Sequence, residues 1–264
     1  MQDTSKDALL ISASEEIRFE PVWVDPYTNE NLTIRLFKGL YRWISRPSQM
    51  SDHICSIPGT IWYKRALRPA TKQVGDARLI INEAGIGGLA RRLLDPNESA
   101  QFVNVPLDNT AGPRTNLKEA QIVCDIIEAL ATGGFSLGRK DAIAIICPRR
   151  AQVELIRRQL ESLFRDKRVC EGDTERAMLD SVSTVDRFQG SQSDVVIVSL
   201  GMSDSSVSPH LADEKRLNVA MSRARHKLIL LGNREALSQE DIFGNLFQTM
   251  STELPYSDWY IEAG

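Results

Sequence analysis

The chain has 264 residues, 42% of them hydrophobic and 25% charged, with a formal net charge of -3. That is apolar material for one large core, and the mild acidity excludes binding of nucleic acid through bulk charge, so any such site must be a local patch. No run approaches about 18 apolar residues, the length that spans a membrane, and the opening Met-Gln-Asp-Thr-Ser-Lys-Asp is not a secretory signal. The expectation is an intracellular protein of the nucleus or cytoplasm that does not engage a membrane. Cys55, Cys124, Cys147 and Cys170 lie far apart, with no ligand spacing, so buried thiols in a reducing compartment are expected and no metal site.

Residues 1–45 read as an N-terminal arm and helix. Ile17–Val24 alternates weakly, with Pro21 suiting a sheet edge. Over 31–46, Leu36, Phe37, Leu40, Tyr41 and Ile44 fall on one helical stripe. The main domain spans 46–250. It opens with a second helix at 50–67, interrupted near Pro58. Residues 81–100 read as an insertion. Just here Leu79–Ile81 is strand-like, Gly85-Ile-Gly-Gly-Leu-Ala90 fits GxGxxA, and Asp108 follows a further strand. Together these mimic a dinucleotide fingerprint. Against that reading, Asn82-Glu-Ala separates strand from glycine, and Asp95-Pro96 cuts the helix short.

Beyond it, Gln101–Leu107 predicts a strand. Asn116 is an N-cap candidate with Glu119 three residues on, a capping-box spacing. The helix runs Leu117–Ala131 and ends at Gly133-Gly134. Ala142–Cys147 is an unbroken apolar run, as in a strand covered on both faces, and Pro148 stops it. Ala151–Phe164 then predicts a helix with Val153, Ile156, Leu160 and Phe164 inward. Residues 139–168 hold nine Lys and Arg against four acids, the best candidate for a phosphate-backbone footprint. A solvated helix face with Glu154–Arg158 and Glu161–Arg165 pairs explains the same charges.

Residues 182–232 organise the rest. Val195–Leu200 and Leu228–Leu231 read as buried strands, and Lys215–Arg225 between them as a helix carrying Arg216 and Arg223. Strand, helix, strand with both strands covered is a parallel crossover, and ligands in such sheets meet the loops at strand ends. Phe188-Gln189-Gly190 is a loop whose glycine permits close backbone approach. Arg223, on a helix anchored by its opposite face, offers a planar cation suited to phosphoryl oxygens. Residues 234–250 predict a last helix, and 251–264 a loosely held tail.

These runs resemble superfamily 1 helicases of the nonsense-mediated-decay helicase and senataxin-like branch. Thr184-Val-Asp-Arg-Phe-Gln-Gly190 with Asp194 is similar to motif V, and Arg216-Leu-Asn-Val-Ala-Met-Ser-Arg223 to motif VI. Cys147-Pro-Arg149 with Gln152 is similar to motif IV, with an arginine where the family has tyrosine. The family's asparagine followed by Glu-Ala matches Asn116, Glu119 and Ala120. The resemblance implies a second RecA-like motor domain: an α/β, three-layer parallel sheet of the P-loop NTPase fold. It implies Arg223 as an arginine finger, worth about 10³–10⁵ in rate in such enzymes. Gln189, Gly190, Gln192 and Arg216 would line the nucleotide with it. Thr184, Pro148, Arg149 and Arg150 would touch nucleic-acid phosphates.

Two nucleotide-facing positions also depart from the family. Gln49 stands where a phosphate-sensing arginine is expected, and Gln192 where a glutamate is. An amide cannot stabilise developing charge as a guanidinium does. No Gly-Lys pair occurs in the 264 residues, so the phosphate-binding loop signature is missing. ATP and Mg2+ are therefore expected only if a P-loop-bearing first motor domain is supplied in cis or trans, and this chain alone should neither bind nor hydrolyse ATP. The expected partner is single-stranded RNA or DNA. The alternatives are a degenerate, non-enzymatic helicase-like module that binds nucleic acid or protein, and a dinucleotide-binding Rossmann protein built on Gly85–Ala90.

Overall fold

The computed structural model describes residues 49–65, 67–188, 192–250 and 252–259. The expected strand at 17–24 and helix at 31–46 lie outside them. The elements in chain order are α1 (Asp52–Ile61), α2 (Lys72–Asp76), α3 (Gly88–Leu93), β1 (Ala100–Asn104), α4 (Leu117–Thr132), β2 (Ile143–Cys147), α5 (Arg150–Lys167) and α6 (Asp173–Asp180). Then come β3 (Val182–Thr184), β4 (Ser193–Ser199), α7 (Glu214–Met221), β5 (Ala224–Gly232), α8 (Arg234–Leu237), α9 (Asp241–Thr249) and β6 (Thr252–Pro255). No helix among the described residues is long and apolar enough to cross a membrane.

The strands form one sheet in the order β3-β2-β4-β5-β1-β6, every neighbouring pair parallel. Alternation along each strand splits its side chains between two cores. Val195 and Ile197 of β4, and Ile229 and Leu231 of β5, face α4 and α5. Val196, Val198, Leu228 and Leu230 face α1, α7 and α9. Both faces are thus covered, which is why these runs are apolar at every step rather than every second one. Burying each such side chain contributes about 1.5–3 kcal/mol. The result is the expected three-layer, RecA-like α/β fold. All four cysteines are buried free thiols.

Several expectations change in detail. The helix predicted over 215–225 stops at Met221. The chain has to re-enter the sheet: the Arg223 carbonyl accepts from the Ser193 amide at 2.8 Å, and β5 begins at Ala224. Arg223 therefore sits in the turn after α7, not on the helix. Helix α1 runs through Pro58 instead of breaking there, with Pro58 itself buried. The helix expected over 234–250 is divided into α8 and α9. The tail supplies β6, which pairs with β1 from Gln101↔Thr252 to Asn104↔Pro255.

The dinucleotide reading fails on geometry. Leu79–Ile81 is not a strand; Ile80 is 88% exposed and Asn82 instead bonds the Gly133 carbonyl at 2.9 Å. Gly85 and Gly88 do adopt left-handed backbone, with φ of 86° and 58°. Their turn feeds α3, whose Leu89 and Leu93 are buried in the α4 core layer. A strand ending at the glycines is what a pyrophosphate site requires, and here there is none.

Candidate nucleic-acid and nucleotide edges

Because all strands are parallel, the sheet has a carboxyl edge and an amino edge, and α7 runs from the first to the second. At the carboxyl edge, Cys147 of β2 pairs with Thr184 of β3, so Pro148 and Arg149 emerge beside Thr184. The Pro148 carbonyl contacts His210 Nε2 at 2.9 Å, and Arg149 Nη2 donates to Ser208 Oγ at 3.0 Å. Arg150, the first residue of α5, is exposed. Arg216 lies in the first turn of α7, which Asp213 caps by accepting from the amides of Lys215 and Arg216. Its guanidinium reaches Asp186 at 3.7 Å and Asp213 at 3.6 Å, and also contacts His210. Arg216 is therefore grouped with Thr184 and Pro148 rather than with Arg223, which lies seven residues on, past the other end of α7.

The amino edge holds the other set. The Ser193–Arg223 backbone bond places Gln192 beside Arg223. The Ser51 amide bonds the Arg225 carbonyl at 2.9 Å, which brings exposed Gln49 to the same edge. Arg223 is half-buried, and its guanidinium is oriented by the Val219 carbonyl at 3.0 Å and Ser222 Oγ at 3.2 Å. Burial pulls its pKa below the usual value, offset in part by Tyr63; a guanidinium remains charged all the same. Tyr63 is held in turn by Asn218 Nδ2 at 2.9 Å, and Trp62 Nε1 donates to Glu214 at 3.1 Å. Trp62 and Tyr63 thus dock along α7. Gln189 and Gly190 lie outside the described residues.

Asp194 is buried at this edge, paired with Arg139, with Arg225 at 3.3 Å and with His226 at 3.8 Å. Burial lowers the His226 pKa against the opposing pull of Asp194. This also divides the basic stretch at 139–168. Arg139 is engaged at the amino edge, Arg157 donates to the Val182 carbonyl at 2.8 Å, and Lys167 pairs with Glu128 at 2.7 Å. What the stretch leaves at the carboxyl edge is Arg149 and Arg150.

Beneath the carboxyl edge lies a buried polar network of which the sequence marks Asn116, Glu119 and Gln152, without joining them. Asn116 caps α4 by accepting from the Glu119 amide at 3.0 Å, as expected. The reciprocal half of the capping box is absent: the Asn116 amide goes to Gln152 Oε1 at 2.8 Å. Glu119 instead accepts from Ser199 Oγ at 2.7 Å and the amides of Gly201 and Met202 at 2.9 and 3.2 Å. Gln152 also donates to Ser199 Oγ at 3.0 Å. Complete burial pushes the Glu119 carboxyl up to about 7 despite those donors. The network ties α4, α5 and the end of β4 into one unit directly below Arg149.

Residues 44–235 match the family model described as an AAA domain, well over half the chain. The chain belongs to the AAA domain family. Within that family it is a C-terminal helicase domain of superfamily 1, in the branch that includes Dna2 and Sen1. It is similar to an uncharacterized ATP-dependent helicase of Methanocaldococcus jannaschii, 28% identical over 92% of this chain and 35% of that protein. It is similar to the DNA replication ATP-dependent helicase/nuclease dna2 of Schizosaccharomyces pombe, 28% identical over 76% of this chain and 14% of that protein. It is also similar to Helicase sen1 of the same yeast, 32% identical over 50% of this chain and 7% of that protein. The chain spans about a third or less of the length of these relatives.

Proposed function

We propose that this chain acts as the C-terminal motor domain of an ATP-dependent helicase on single-stranded RNA or DNA. The observation that carries the reading is the placement of two residue sets at opposite ends of one helix. Arg223, Gln192 and Gln49 meet at the amino edge, while Thr184, Pro148 and Arg149 meet at the carboxyl edge. Arg223 fits the part of an arginine finger, a charged fork held by two hydrogen bonds at an edge. Its own chain supplies no P-loop lysine, so ATP and Mg2+ would enter with a P-loop-bearing first domain, in cis or in trans. ATP would supply the phosphoryl group; this chain's part is charge stabilisation by Arg223 and orientation by Gln192. Helix α7 would then couple that edge to the strand bound near Thr184.

The test is ATP turnover with single-stranded RNA or DNA, for the chain alone and combined with a P-loop-bearing first domain. The expected results are no turnover alone, stimulated turnover in combination, and a loss of about 10³-fold or more for Arg223→Ala with an unchanged melting profile. Turnover by the chain alone, or full activity in the Arg223→Ala combination, would refute it. A non-enzymatic module is favoured by one observation, exposed Gln49 standing where the family has an arginine. That reading predicts nucleic-acid binding with no turnover in any combination.

A further inference from the structure

Resting on the nucleic-acid reading of the carboxyl edge, we infer that Arg114 is a second phosphate ligand, paired with Arg149 across the loop at Ser203–Ser208. Arg114 lies in the loop between β1 and α4, outside every motif that marked the site. Its backbone is left-handed, with φ of 63°, a conformation that costs a non-glycine residue about 1–2 kcal/mol. The loop is fastened there: the Arg114 amide donates to buried Ser203 Oγ at 3.0 Å, and Asn116 Nδ2 to the Met202 carbonyl at 2.9 Å. Arg149 is bound to the far end of the same loop through Ser208.

The Arg114 backbone and the Arg149 guanidinium are thereby tied to one loop, from the segments after β1 and β2. The Arg149 pKa is lowered first by burial and next by the charge of Arg114, which places the two cations within electrostatic reach. Asp204 stands nearby, and its charge offsets part of the effect of burial and of Arg114 on Arg149; its carboxylate also accepts from Ser203 Oγ at 3.2 Å and from the amide and hydroxyl of Ser206. Like charges held side by side repel unless an anion lies between them. Arg114 is exposed and Arg149 half-buried, so a phosphodiester can approach both from solvent. Guanidinium forks suit phosphate oxygens. A nucleic-acid strand laid over Thr184 and Arg149 would thus extend across the Ser203–Ser208 loop to Arg114.

The experiment measures affinity of the full chain for oligo-U and oligo-dT probes of about 16 nucleotides across a salt series. For single strands the log–log slope changes by about 0.7 for each phosphate contact. Arg114→Gln should reduce the slope by about that amount, Arg149→Gln likewise, and the double variant by about twice as much. Arg114→Lys should restore the unaltered slope, and Arg158→Gln should leave it unchanged. An unaltered slope in Arg114→Gln, with a reduced one in Arg149→Gln, overturns the pairing alone. Loss of slope in both the Arg114→Gln and Arg114→Lys variants overturns it too, by making the backbone turn rather than the charge responsible. No salt-dependent binding by the unaltered chain overturns the nucleic-acid reading along with it.

Discussion

Replacing Glu119 with Gln tests whether the polar network under the carboxyl edge is built around a carboxyl group that resists ionisation. Glu119 is fully buried, accepts from one hydroxyl and two amides, and titrates at about 7 against 4.5 in an open chain. The folded state therefore holds this proton more tightly than the unfolded state. Its stabilising contribution is complete below the unfolded value and declines as pH rises towards and through 7. Linkage over that interval gives a loss of about 2.5 kcal/mol between pH of about 5 and about 8 from this one group. Glu119→Gln retains one acceptor and the shape but cannot titrate. It should shift stability by an offset that does not vary with pH. Urea unfolding of both proteins across this range isolates the effect, because every other titrating group cancels in the difference. The stability of the unaltered chain minus that of the variant should fall as pH rises. A difference that is flat, or that rises with pH, would refute the assignment of a raised pKa to Glu119 and with it the dominance of burial over the three donors.

Two further predictions concern buried positions. Lys227 is fully buried in β5, donates to the carbonyls of Asp95 and Glu98, and burial lowers its pKa to about 7 from 10.5. Here the unfolded state binds the extra proton, so its contribution is full above the unfolded value and is lost as pH falls towards 7. Lys227→Met should flatten the rise in stability between pH 7 and 10.5, the opposite sense from Glu119, and the same urea series reads it. Gly201 has φ of 63°, and an added Cβ would lie 3.0 Å from the Gln152 side chain. Gly201→Ala should destabilise the fold by at least about 1–2 kcal/mol, measured by thermal or urea unfolding; a neutral outcome would mean that Gln152 is not held as described.

Much of the fold was legible along the chain. The runs at 142–147, 195–198 and 228–231 are apolar at every position, and a strand covered on both faces needs that regardless of what covers it. Asn116 announced its helix because an N-cap is local chemistry. The end of α7 was misplaced because helical periodicity continues through Arg223, while the break is imposed by a neighbouring strand: the Ser193 amide takes the Arg223 carbonyl. The strand at Thr252–Pro255 was missed since its pairing partner, β1, lies about 150 residues earlier, and four residues carry too little pattern by themselves.

The candidate site divided along the same line. Sequence alone determined which residues are candidates at each motif, Arg223, Thr184 and Pro148 among them, because residue type and spacing are local properties. Tertiary structure decided which of them stand together. It separated Arg216 from Arg223 by the length of a helix and sent Glu119 to Ser199 rather than back to its own cap. It also brought Arg114, in no motif at all, to the loop that holds Arg149. The reason is physical: hydrogen bonds and like-charge contacts between residues tens of positions apart depend on strand order and loop closure, and neither leaves a periodic trace in the chain.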